Sequence, residues 1–88
     1  MQLFDIKGKT ALITGASSGL GEQFARCLSS AGARVLLAAR RIDKLNDLAA
    51  KLGDAKVMEM DIADKNSVQK CFGELDDSEE QIDIYIKH

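Results

Sequence analysis

Short apolar runs in this chain alternate with stretches of helical period, and that alternation leaves few folds open. Lys9–Thr14 is a run of strand length. Leu20, Phe24, Cys27, Leu28 and Ala31 then recur at helical spacing, and Gly32 supplies a C-terminal stop. Arg34–Ala39 predicts a second strand, apolar almost without a break, as in strands covered on both faces. Leu45, Leu48, Ala49 and Leu52 mark a second helix, with Asp43 as its N-cap and Gly53 as its stop. Lys56–Met60 predicts a third strand. Val68, Cys71, Phe72 and Leu75 predict a third helix capped by Asp64, and Ile82–Ile86 a fourth strand. The acidic stretch Asp76–Glu80 reads as helix end and solvated connector. The order β-α-β-α-β-α-β specifies parallel strands joined by right-handed crossovers, hence an open three-layer α/β half-fold.

The first strand-to-helix junction reads Thr14-Gly-Ala-Ser-Ser-Gly-Leu-Gly21. A strand, a glycine-rich turn and a helix in that order form an anion cradle. Backbone N–H groups of the turn and of the helix N-terminus point outward, and the helix dipole favours negative charge there. Ser17 and Ser18 add hydroxyl donors. Gly15, Gly19 and Gly21 suit three tasks: a sharp turn, bare backbone against a pyrophosphate, and close helix–strand packing. Their spacing, G-x3-G-x-G, departs from the G-x-G-x-x-G of the usual dinucleotide fingerprint. The plainer alternative is an ordinary flexible connection.

A second feature sits at the end of strand two, in Ala39-Arg40-Arg41. An acidic residue there would accept hydrogen bonds from the ribose hydroxyls of NAD, whereas an arginine accommodates the 2′-phosphate of NADP. Two guanidiniums capable of bidentate phosphate contacts favour NADP, with NAD the other candidate. Arg40, directly after the strand, is the better placed; solvation of a loop is the competing role. Asp61 ends strand three, where its carboxylate could accept from an adenine amino group or serve as a loop or cap carboxylate.

Together these residues resemble the N-terminal half of the short-chain dehydrogenase/reductase family, from about Leu3 to Ile86. Thr14–Gly21 is similar to that family's TGxxxGxG cofactor loop, which implies contacts from Gly15, Ser17, Ser18, Gly19, Leu20 and Gly21. Gly32–Arg41 resembles its second strand and specificity loop in the form associated with NADP. Asp61-Ile62 resembles the aspartate–aliphatic pair at adenine, with the Ile62 backbone flanking the ring. The resemblance implies residues 1–88 as the N-terminal part of an NAD(P)-binding Rossmann-type domain with strand order 3-2-1-4. It also implies oxidoreductase ancestry. Where the family continues Asn-Asn-Ala-Gly, this chain reads Lys87-His88, and the family's Ser and Tyr-x-x-x-Lys groups have no counterpart. Tyr85, Lys87 and His88 do not replace them, so no catalytic residue is assigned and the chain is expected to be inactive alone.

With order 3-2-1-4, the first two helices share one face, the third crosses to the other, and strand four is an open edge. Self-association through that edge, or pairing with a full-length relative as a binding or regulatory module, is the alternative expectation. A chain of 88 residues buries only roughly 60% of its unfolded surface, which makes it marginal alone. The balance of 12 basic and 14 acidic residues gives no reason to expect nucleic acid or an anionic membrane. The start lacks a signal-peptide pattern, and no apolar run approaches the about 18 residues of a membrane span. Cys27 and Cys71 read as buried and unpaired, which fits a cytoplasmic location, and with one His they make no zinc site.

Overall fold

The structure, a computed structural model, describes residues 6–16 and 19–87. Ser17, Ser18 and His88 lie outside the described residues. The elements are β1 (Thr10–Thr14), α1 (Gly19–Ser30), β2 (Arg34–Ala39), α2 (Ile42–Lys51), β3 (Ala55–Glu59), α3 (Lys65–Asp77) and β4 (Ile84–Lys87). All strand pairs are parallel and the order is β3-β2-β1-β4, as predicted.

The pleat sorts the core into two layers. Ala11, Ile13, Val35 and Leu37 point to one face and pack on Ala25 and Leu28 of α1 and on Leu45 and Leu48 of α2. Leu12, Leu36 and Ala38 point to the other, where Met58 and Met60 join Cys71 and Leu75 of α3. Alternate residues of a strand face opposite ways, so a continuous apolar run such as Val35–Ala39 serves both layers at once. All five of its residues are buried.

The packing face of α1 differs from the expectation. Leu20 is 51% exposed, Phe24 38% exposed and Cys27 exposed, while Gly21, Ala25 and Leu28 turn inward. Helical period allows either of two adjacent stripes, and the one with small residues wins because α1 lies close to the backbone beneath it. Cys27 is therefore free but not buried; Cys71 is free and buried. Burial pushes the Cys71 thiol pKa up, and its S–H donates to the Glu59 carbonyl at 2.9 Å. Asp43 is not an N-cap: α2 begins at Ile42, two residues earlier than an Asp43 cap requires, which makes Arg41 the cap residue and puts Asp43 in the first turn. Asp64 does cap α3, accepting from the Asn66 N–H. β4 starts two residues later than predicted. Ile82 stays outside it and packs on the α3 layer, while Asp83 exchanges hydrogen bonds with Thr10 at 2.9 Å through its N–H and its carboxylate.

At the amino ends of the strands, Arg34 clamps two loops. Its Nε and Nη2 donate to Glu80 Oε1 at 3.1 and 2.7 Å, and Nη1 donates to Asp54. The hydrogen bond to Glu80 is the largest influence raising the guanidinium pKa, against the opposing effect of burial. Glu80 is only 17% exposed and Asp54 is 65% exposed, so solvent screens the two partners differently. Glu80→Ala is expected to cost about 1.5–3 kcal/mol, the range for a charged hydrogen bond. Asp54→Ala is expected to cost less than about 1 kcal/mol. Urea titrations of the two variants check the order; equal losses would contradict it.

Candidate functional site

The parallel sheet brings the carboxyl ends of β1, β2 and β3 to one edge. The turn after β1 starts at Gly15, whose φ of 70° lies in the left-handed region where a side chain is strained. Gly15 and Ala16 both donate their N–H to the Ala38 carbonyl, at 2.9 and 3.5 Å, which ties the turn to the end of β2. α1 then starts at Gly19. A Cβ on Gly21 would lie 2.5 Å from the Gly15 carbonyl oxygen and 2.9 Å from the Ala16 Cα. The first turn of α1 is thus seated directly on turn backbone. A Cβ on Gly19 would meet nothing within 4 Å. Bare backbone at a helix N-terminus, facing open space, is what an approaching phosphate requires.

A cavity of about 240 Å³ opens at this edge. Thr14 and Gly15 line it from β1, Ala39, Arg40 and Arg41 from β2, and Met60 and Ile62 from the end of β3. Complete small-molecule sites usually run to about 300–1,000 Å³, so this one suits part of a large ligand. Arg40 and Arg41 are exposed, and Arg41 occupies the N-cap of α2 without any side-chain cap bond. Two cations at the positive end of a helix dipole are unfavourable by themselves and favourable around an anion.

The predicted residues are not all in one place. Gly15, Arg40, Arg41 and Ile62 line the cavity together. Asp61 sits beside it with its carboxylate engaged in the loop, where Oδ1 accepts from the Ala63 N–H at 3.0 Å. Leu20 is exposed on the first turn of α1. Thr14 and Met60 were not singled out from the sequence. Their signal is positional: each follows or ends a parallel strand at the carboxyl edge. Tyr85 does not line the cavity; its ring meets Phe72 edge-on at 6.2 Å on the α3 side.

Comparison with known proteins bears on the family and the fold. The family model described as short chain dehydrogenase matches residues 9–87. The chain belongs to the short-chain dehydrogenase family. It is 37% identical to nodulation protein G of Rhizobium sp. over 87 residues, which is 98% of this chain and 36% of that protein. Among solved structures it is similar to the RhlG/NADP active-site complex of Pseudomonas aeruginosa, with a TM-score of 0.88 and 29% identity. That match covers 98% of this chain and 36% of the other. A metagenomic short-chain oxidoreductase in complex with NADP matches with a TM-score of 0.84 and 30% identity, over 91% of this chain and 38% of the other. The chain spans about a third of the length of these short-chain dehydrogenase relatives.

In this short-chain dehydrogenase sequence the glycines separate into packing and open positions, and stability distinguishes them. Gly21→Ala overpacks backbone and is expected to cost about 1–3 kcal/mol. Gly19→Ala meets no atom and is expected to leave the melting midpoint near that of the parent chain. At about 4–8 °C per kcal/mol for a domain of this size, thermal scans resolve the difference.

Proposed function

We propose that this chain forms the adenosine-phosphate grip of an NADP-dependent short-chain oxidoreductase. The observation that carries the proposal is the convergence of Gly15, Arg40, Arg41 and Ile62 on one cavity at the carboxyl edge of the sheet. The residues present fit such a group. Gly19 leaves room over the N-terminus of α1 for a pyrophosphate, and the two arginines stand at the uncapped start of α2 for a 2′-phosphate. Ala39, with no carboxylate to repel that phosphate, lines the wall between them. Gly15, Ser17, Ser18, Leu20 and Gly21 are assigned to the phosphate turn, and Asp61 and Ile62 to the adenine end. The cofactor supplies hydride chemistry when bound; the residues of this chain bind and orient its adenosine half.

The serine and Tyr-x-x-x-Lys groups that the family resemblance implies have no counterpart in these 88 residues. We therefore propose that this stretch binds cofactor without reducing a carbonyl substrate by itself. Among the described residues no helix is long and apolar enough to cross a membrane. The cytosol is the proposed setting, where both free thiols would persist.

Calorimetry with adenosine 2′,5′-bisphosphate and with AMP tests this reading. Arg40→Ala is expected to weaken the bisphosphate by about 10- to 100-fold, the worth of one charge-assisted hydrogen bond, and to leave AMP nearly unchanged. Ala39→Asp is expected to reverse the preference. Equal losses for both ligands would remove the arginines from the site.

A second reading concerns partners. Phe24 and Cys27 are exposed on α1, and β4 ends the sheet with no strand beyond it among the described residues. We propose that this surface takes up further protein: another copy, or a full-length relative. Sedimentation at increasing concentration is expected to show association, and Phe24→Glu to reduce it. A monomer at every concentration contradicts this reading.

A further inference from the structure

The geometry points to Ser67 as the positioning residue of the adenine end, an inference that rests on the cofactor reading above. Ile62 lines the cavity from the short loop between β3 and α3, and it is 43% exposed. A half-exposed side chain on a loop contributes to a site only if the backbone beneath it is fixed. Hydrogen bonds supply that here. The Met60 N–H donates to the Ala39 carbonyl at 2.9 Å, and the Asp64 N–H to the Asp61 carbonyl at 3.0 Å. The Asp61 carboxylate accepts from Ala63 and the Asp64 carboxylate from Asn66.

Those bonds fix the entry to the loop and its own turn. The link from the loop's start to the body of α3 is different: Ser67 Oγ accepts from the Asp61 N–H at 2.9 Å. Ser67 is the third residue of α3, after Lys65 and Asn66. In a capping box the third residue reaches back to the N-cap N–H. Here the hydroxyl reaches past the cap residue, Asp64, to the residue that opens the loop. Ser67 does not line the cavity, so it acts on a ligand only through Asp61 and Ile62. Removing Oγ leaves a partly buried N–H without its partner and releases the loop from the helix.

The test uses the whole 88-residue chain and two probes. Adenosine 2′,5′-bisphosphate reports on the adenine end. Inorganic pyrophosphate, followed by the amide shifts of Gly19 and Gly21, reports on the turn alone. Ser67→Ala is expected to weaken the adenosine ligand about tenfold, the factor for one lost hydrogen bond, and to leave pyrophosphate unchanged. Ser67→Thr, which keeps Oγ, is expected to restore adenosine binding. Ser67→Val, isosteric with threonine but without the hydroxyl, repeats the comparison should the alanine variant not fold. A merely structural role would weaken both probes together, and that result overturns the proposal. Unchanged adenosine binding in the alanine and valine variants, or no rescue by threonine, does the same. If the parent chain binds neither probe, the cofactor reading itself falls.

Discussion

Parallel pairing of β1 with β2 is the constraint from which the site follows. Thr10 opposes Arg34 and Thr14 opposes Ala38, so both strands end at the same level. β3 pairs with β2 in the same sense, with Ala39 opposite Glu59. Three chain segments therefore leave the sheet at one edge, and whatever they carry is brought together without long-range design. A shift of β2 by one residue would exchange its faces and move Arg40 away from the turn. The chain also reverses direction across the sheet here: from β1 it runs outward to β3 and then returns to β4 on the other side. Ligands of open α/β sheets bind at such switch points.

The two edges of the sheet do different work. The amino edge is closed by paired charges, with Arg34 held between Glu80 and Asp54 and Thr10 exchanging bonds with Asp83. The carboxyl edge keeps its positive groups exposed: the N-terminus of α1, Arg40 and Arg41. Charge is satisfied within the protein where the loops only connect. Among the described residues, Arg40 and Arg41 have no ion-pair partner at the edge that carries the cavity. The contact beneath Gly21 belongs to the carboxyl edge, where it presses α1 onto the turn.

Much of this was legible in the sequence. The apolar runs located every strand to within about two residues; β1 and β2, buried on both faces, have little freedom of composition, while β3 and β4 are only partly buried and their bounds shifted by one or two residues. Gly15 stood out by its place in the glycine turn, Arg40 and Arg41 by their charge after strand two, and Ile62 by the family resemblance; the structure gathers them at one cavity. The orientation of α1 was not legible. Leu20, Phe24 and Cys27 outweigh Gly21, Ala25 and Leu28 in hydrophobicity, yet close approach of backbone selects the smaller set. The start of α2 was not legible either: a short loop after β2 begins the helix at Ile42, ahead of Asp43, and propensity does not report loop length. Thr14, Met60 and the Ser67 hydrogen bond depend on three-dimensional convergence, which spacing in one segment does not encode.

The central claim is that the carboxyl edge, and not the charged amino edge, binds the adenosine-phosphate group. Amide shift mapping of the 15N-labelled chain during titration with adenosine 2′,5′-bisphosphate tests it most directly. The account predicts saturable shifts at Gly15, Gly19 and Gly21, at Arg40 and Arg41, and at Asp61 and Ile62. Arg34, Asp54 and Glu80 should stay still. Shifts concentrated at those three residues, or none at the glycine turn, would contradict it.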